Sequence, residues 1–224
     1  MTMIIVRIKQ LLFRIYGLID IFGPFLQMAC MMVYEPKIIL DAGCGEGLSI
    51  KVLKKFAKSK LTNAYKLGID IYLPYLKKAR ETYDDVILAD LRFIPLREHS
   101  VDIVFCIEVI EHLNKAEGRM LLVELEKIAL KQVFLTTPNY FLPQNAINGN
   151  PFQIHKSYWK SEEFKKYGYR VFGTTGFNMP LLLKTSLVAK IWNLIIKIFA
   201  APIVKSHPKI AGGLLCVKQL TKKK

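Results

Sequence analysis

Glu108, Glu111 and His112 stand close together in Cys106-Ile107-Glu108-Val109-Ile110-Glu111-His112-Leu113. If the chain turns helical at Glu108, these three occupy i, i+3 and i+4 on one face. Two carboxylates and an imidazole at that spacing can chelate a divalent ion such as Mg or Mn. A fourth ligand is available in His155, which lies in the polar stretch 141–158 after a fifth strand. Without a metal, His155 reads as a general base, a substrate contact or a structural hydrogen-bonding group. A second group of residues surrounds Asp41-Ala42-Gly43-Cys44-Gly45-Glu46-Gly47. Glycines at alternate positions leave bare backbone for a ligand to lie against.

These residues need a scaffold, and the hydrophobic pattern supplies one. Ile38–Asp41 reads as a fully buried strand, Leu48–Ala57 as a helix, Tyr65–Ile69 as a strand and Pro74–Tyr83 as a helix. Val86–Ala89 and Val101–Cys106 read as strands, Lys115–Ala129 as a helix and Val133–Thr136 as a strand that stops at Thr137-Pro138-Asn139. A short helix at Ser161–Lys166 and strands at Tyr169–Gly173 and Gly213–Gln219 complete the order. Short apolar runs alternating with helices imply a parallel sheet covered on both faces. In such a sheet, ligands bind outside the carboxyl ends of the strands. Asp41, Asp70 and Asp90 sit at three successive strand ends. Each aspartate alone reads equally well as a strand-end or capping residue. Behind a glycine turn, Asp70 can accept from a ribose diol and Asp90 from the amino group of a base, with Leu91 packing on the ring.

Two familiar nucleotide signatures fail here. The dinucleotide fingerprint needs a third glycine where Leu48 stands, and no Gly-Lys-Ser/Thr follows for a phosphate loop. The run Leu40–Gly47 instead resembles motif I of the class I S-adenosylmethionine (SAM) methyltransferases. Ala89-Asp90-Leu91…Pro95-Leu96…Ser100-Val101-Asp102 resembles that family's third-strand motif. The resemblance covers roughly residues 36–140 and implies a seven-stranded Rossmann-like α/β sheet, mostly parallel with the last strand antiparallel and helices on both faces. It implies SAM as cofactor, contacted by Asp41, Gly43, Cys44, Gly45, Gly47, Asp70, Ile71, Asp90, Leu91 and Ile107. Glu-x-x-Glu-His, Thr137-Pro138-Asn139 and a distant His155 resemble two metal-assisted branches, the ubiquinone-biosynthesis O-methyltransferases and the small-RNA 3′-terminal 2′-O-methyltransferases. That likeness makes Glu111, His112 and His155 the catalytic candidates and Glu108, Glu111, His112 and His155 the metal candidates. Other members of the family carry a similar Glu-x-x-Glu-His that only orients loops.

The expected reaction is methyl transfer from SAM to a hydroxyl oxygen of a small or lipid-like compound. An RNA 2′-hydroxyl is the alternative acceptor, and a non-catalytic SAM-binding protein is the third reading. The 224 residues carry a net charge of +15, which favours an anionic partner, either nucleic acid or a membrane surface. Mean hydropathy is +0.24, and apolar residues make up 52% of the chain. Ile4, Ile5, Ile8, Leu11, Leu12 and Ile15 share one helical face over 1–20, and 187–201 is apolar apart from Lys190, Asn193 and Lys197. The first suits packing over the cofactor site or lying on an anionic membrane surface, and the second suits an interfacial helix, a helix closing over the substrate cavity or a dimer contact. Charges keep the second below the ~18 uninterrupted residues of a membrane span. Residues 1–35 read as an N-terminal helical cap, with a second short helix at Phe25–Met32, and 36–224 read as the methyltransferase domain with a helical insertion at about 180–208. The segment 1–20 lacks the pattern of a signal peptide. Four widely spaced cysteines, with no Cys-x-x-Cys, suit a reducing cytoplasm. The expected location is therefore cytoplasmic, with attachment at the inner membrane face as an extension of that reading.

Overall fold

A computed structural model describes residues 24–25, 27–32, 35–177 and 203–220. The amphipathic stretch 1–20 and the apolar stretch 187–201 lie outside the described residues, as does most of the 180–208 insertion.

Seven strands form one sheet in the order β3-β2-β1-β4-β5-β7-β6. They are β1 (Ile38–Ala42), β2 (Tyr65–Asp70), β3 (Asp85–Leu88), β4 (Val101–Ile107), β5 (Ala129–Pro138), β6 (Arg170–Phe177) and β7 (Ala211–Gln219). Strands β1 to β5 pair in parallel, while β7 runs antiparallel to both β5 and β6. The helices are α1 (Leu48–Phe56), α2 (Lys58–Leu61), α3 (Leu73–Ala79), α4 (Lys115–Ile128) and α5 (Ser161–Lys166).

Period-two alternation divides the core between the two sheet faces. Leu40, Val104 and Val133 pack with Leu121, Leu125 and Trp159 on one side. Their neighbours Ile39, Ile103 and Phe134 pack with Met28, Ile50 and Leu53 on the other. The second cluster binds the stretch 27–32 to the domain. Lys60 Nζ donates to the carbonyls of Ala29 (3.2 Å) and Met32 (2.5 Å), closing the end of that helical turn. On the first face, Gly118 lets α4 approach Trp159, because a Cβ there would lie 2.4 Å from the indole.

The strands and helices expected on described residues between 36 and 220 are present, with shifted edges. The helix expected over Pro74–Tyr83 stops at Ala79, because Tyr83 must turn inward to meet Asp41. The strand expected over Val133–Thr136 runs from Ala129 to Pro138, because it has partners on both sides, β4 and β7. The strand order reverses on either side of β1, where β2 and β4 flank it. The crevice beyond the carboxyl ends of β1 and β4 is the place where a doubly wound sheet takes a ligand.

Candidate active site

A cavity opens at that crevice. Its wall includes Gly43, Gly45, Asp70, Ile71, Asp90 and Leu91, six of the ten cofactor candidates. The turn after β1 builds its floor. Gly43 has φ +80°, and a Cβ there would meet Val109 Cγ2 at 2.4 Å. Gly45 has φ +52° with nothing within 4 Å of its missing Cβ, so the space a side chain would fill is left to a ligand. The turn is braced from β2: Asp70 Oδ2 accepts from Gly45 N (2.9 Å), and Oδ1 accepts from Tyr72 N (2.8 Å). Burial raises the Asp70 pKa against the lowering effect of those amides.

The other four cofactor candidates sit behind the wall. Asp41 is fully buried, and its Oδ2 accepts from Tyr83 Oη at 2.5 Å. Burial pushes its carboxyl up to about 7. Asp41 thus supports the turn from beneath, because its side chain is taken up by a partner 42 residues away. Cys44 and Gly47 are buried, with Gly47 against Thr82, and Ile107 packs into the core face shared with Phe105.

Glu108 departs most from expectation, because the chain does not turn helical there. Its amide donates to Thr136 O (3.1 Å) and Thr136 Oγ1 (3.2 Å), and its φ is +53°. The backbone thus follows β5 one residue past Ile107, and a single 3₁₀ turn begins only at Ile110, spanning Ile110–His112. Glu108 therefore does not share a helical face with Glu111 and His112. It lines the cavity, with its carboxyl beside Thr136 and Glu111. Burial raises the Glu111 pKa, and the neighbouring Glu108 charge adds to the effect.

Glu111, His112 and His155 do come together. One ligand atom from each lies within 4.8 Å of the others, and the two imidazole rings are 4.8 Å apart between centroids. The main chain brings His155 in: the amides of Lys156 and Ser157 both donate to Glu111 O, at 2.8 and 3.1 Å. Three further bonds orient the side chains. His112 Nδ1 faces Ile154 O at 3.3 Å, His155 Nδ1 faces Leu142 O at 2.6 Å, and Thr137 Oγ1 donates to Glu111 Oε2 at 3.0 Å. Donation from Nδ1 to a carbonyl leaves the Nε2 lone pair for a metal, as in well-supported imidazole ligands. Burial lowers the His112 pKa to about 4, so its ring is neutral and able to ligate at pH 7. This donor set fits a divalent cation that accepts nitrogen and oxygen ligands. Asn139 of the Thr-Pro-Asn run does a different job. Its Nδ2 donates to Pro208 O (2.8 Å) and Ala211 O (2.9 Å), tying the end of β5 to the start of β7.

The wall also holds charged residues that the sequence reading did not single out, among them Arg92, Glu117 and Lys156. Arg92 bridges Asp90 and Glu117, at 2.6 and 2.9 Å, so the Asp90 carboxylate is engaged on the cavity wall and its pKa is held low by that guanidinium. The spacing Asp90-x-Arg92 was the available clue, because a 3₁₀ turn capped by Asp90 returns Arg92 onto its own cap. Phe152 on the cavity wall is exposed, as are Leu142 and Ile154, whose carbonyls meet His155 and His112.

Comparison with known proteins agrees with this geometry. Residues 40–132 match a family model described as a methyltransferase domain. An uncharacterized protein of Methanocaldococcus jannaschii is 24% identical over 164 residues, 66% of this chain and 62% of that protein. An 18S rRNA (guanine-N(7))-methyltransferase of Bos taurus is 35% identical over 100 residues, 43% of this chain. The chain thus spans 62% and 34% of the lengths of the curated relatives it matches. A SAM-dependent methyltransferase from Aquifex aeolicus shares the fold with a TM-score of 0.55 at 15% identity, covering 92% of this chain and 93% of that one.

Proposed function

We propose that the protein, whose residues 40–132 match a methyltransferase-domain model, transfers a methyl group from SAM to a hydroxyl oxygen with the help of a divalent ion. The observation that carries this reading is the convergence of Glu111, His112 and His155 within 4.8 Å, beside a cavity floored by Gly45 and Asp70.

The division of labour follows from the positions. Gly45 leaves the backbone open to the cofactor, Gly43 lets the turn pack against Val109, and Asp70 takes the ribose hydroxyls. Glu111, His112 and His155 would hold the ion; bound there, it supplies Lewis-acid lowering of the acceptor hydroxyl's pKa. Exposed Phe152 on the wall, with Leu142 and Ile154 beside the two histidines, favours a small or lipid-like acceptor. Alignment of acceptor oxygen, methyl and sulfur is the rest of the task, and positioning alone can supply several kcal/mol.

A second acceptor class, an RNA 2′-hydroxyl, is favoured by one specific observation. The +15 net charge accompanies the Glu-x-x-Glu-His, Thr-Pro-Asn and His155 pattern. One experiment tests both readings. Purified protein is incubated with methyl-labelled SAM and either a panel of phenolic and lipid alcohols or short RNAs, with Mn²⁺ or with chelator. Label in an alkali-stable ether of the alcohols, lost on chelation, supports the first reading. Label at an RNA 2′-oxygen selects the second, and label at nitrogen rejects hydroxyl transfer.

A further inference from the structure

The two sides of the cavity differ in chemistry. Its carboxyl groups, on Asp70, Asp90, Glu108 and Glu117, come from strand ends, the turns after them and α4. The loop opposite brings none, because the chain has no Asp or Glu between Glu126 and Glu162. It contributes Asn150, Phe152, Gln153 and Lys156 instead. Asn150 is only 1% exposed, and its Oδ1 accepts from Phe152 N at 2.9 Å. A backbone N–H only donates, so the amide oxygen must take that bond and the NH₂ group is turned to the other side. Among the described residues, neither Asn150 Nδ2 nor Lys156 Nζ has a hydrogen-bond partner, although both residues line the cavity. Lys156 is fixed by its main chain, whose amide donates to Glu111 O (2.8 Å) one residue after His155. Its charge reaches both ends of the cavity. It adds to burial in lowering the His112 pKa, and to Arg92 in lowering that of Asp90.

We propose that Lys156 and Asn150 form an anion subsite, and that the methyl acceptor is a small hydroxyl compound carrying a carboxylate or a phosphate. The inference rests on the hydroxyl-transfer reading above and narrows its acceptor. An ammonium and an amide NH₂ without acceptors of their own call for a ligand group that only accepts. The amide is buried, so leaving its donor unmatched is costly, and a carboxylate or phosphate oxygen would match it. Lys156 supplies a compact positive charge beside it on the same segment. The acidic strand side repels such a group, which leaves the loop as the place for it. Phe152, exposed on the same segment, suits the apolar body of the acceptor. The acceptor hydroxyl is then directed toward His112 and His155, because Lys156 follows His155 directly in the chain.

Calorimetry with paired probes tests the assignment. One pair is para-hydroxyphenylpropionate and its methyl ester, the other para-hydroxyphenyl phosphate and hydroquinone. S-adenosylhomocysteine is bound first, and chelator is present so that no metal ion holds the anion. At least one anionic probe should bind about tenfold or more tightly than its neutral partner, as expected for a charge-assisted contact, and which one does so tells carboxylate from phosphate. Lys156→Ala should cut that advantage to about twofold or less, and Lys156→Arg should keep part of it. Asn150→Asp retains the acceptor for Phe152 N, and it should weaken the anionic probe while leaving the neutral one within about twofold. Affinity for S-adenosylhomocysteine should stay within about twofold in all three variants, and thermal melts check that each is folded. The proposal is overturned if neither anion gains over its neutral partner, or if the gain survives in folded Lys156→Ala. A loss of S-adenosylhomocysteine affinity in Lys156→Ala would assign the lysine to the cofactor's own carboxylate and overturn it as well. So would an RNA dinucleotide that binds where no small probe gains from its anion. An unaltered protein that binds no S-adenosylhomocysteine removes the cofactor reading itself, a failure seen before any probe is added.

Discussion

The two ends of the cavity are built in different ways. The cofactor end is made by strand ends and the turns directly after them: Gly43 and Gly45 follow β1, Asp70 ends β2, and Asp90 follows β3. Its key bonds are backbone amides on a carboxylate, as between Gly45 N and Asp70. The end proposed to take the acceptor depends on a loop. His155 reaches His112 because residues 140–158 fold back and place two amides on the carbonyl of Glu111. A sheet edge is held by its whole ladder of pairings, whereas the loop is held by a handful of bonds. Damage at the first end should therefore abolish cofactor binding. Damage at the second should spare binding and abolish turnover.

The largest effect should come from Gly45→Val. The position has φ +52° and open space above it, so a branched side chain is strained and projects where the ligand lies. Titration with S-adenosylhomocysteine should show no heat of binding, and Asp70→Ala should behave similarly. Normal affinity in both would separate the glycine turn from the cofactor. Glu111→Gln combined with His112→Ala should do the reverse. Turnover should fall by about two powers of ten or more, since Lewis-acid activation is worth several kcal/mol, while S-adenosylhomocysteine affinity stays within about twofold. A parallel loss of affinity would mean that the two ends are one unit. Undiminished turnover after exhaustive chelation would remove the metal.

A smaller effect falls on the scaffold behind both ends. Gly118 in α4 faces Trp159, and a methyl group there would sit 2.4 Å from the indole. Gly118→Ala gains helix propensity but overpacks the contact, so a net loss of about 1–3 kcal/mol is expected in chemical denaturation. A stabilised variant would show that the indole can yield.

How much of this was legible depended on whether an effect was local. The alternation of apolar runs and helices marked every strand, because burial on both sheet faces leaves a continuous signal within each segment. The glycine turn and Asp70 were legible because turn chemistry is written in adjacent residues. Asp41 was not: its type suited a ligand contact, but a tyrosine 42 residues on takes it into the interior. Glu108 misled for a related reason. Its spacing fits a helix, yet Thr136 on the neighbouring strand captures its amide and holds the backbone at positive φ. Arg92 escaped notice because an exposed arginine two residues after an aspartate is ordinary until the cavity is seen beside it. His155 was placed by its likeness to a family pattern, since nothing local brings residues 112 and 155 together.

The finest distinction concerns Asp41, which supports the cofactor end without touching the cavity. Burial raises its carboxyl from an ordinary 3.8 to about 7. Below 3.8 the group is protonated in both folded and unfolded chains, and above about 7 it is ionised in both. Between these limits the folded chain holds a proton that the unfolded chain releases, so Asp41 lowers stability progressively as pH rises through that window. Asp41→Asn keeps an acceptor for Tyr83 and removes the ionisation. Melting temperature followed from pH 4 to pH 8 should therefore decline less steeply in the variant than in the unaltered protein, with the gap widening up to about pH 7 and then levelling. Cofactor affinity at pH 5, where Asp41 is neutral in either protein, should be nearly the same. Parallel stability profiles would mean that the carboxyl is ionised in the fold and balanced by a group other than Tyr83. A large loss of affinity at pH 5 would instead return Asp41 to the cavity wall, and with it the simpler division between a cofactor end read from adjacent residues and a support read only from the fold.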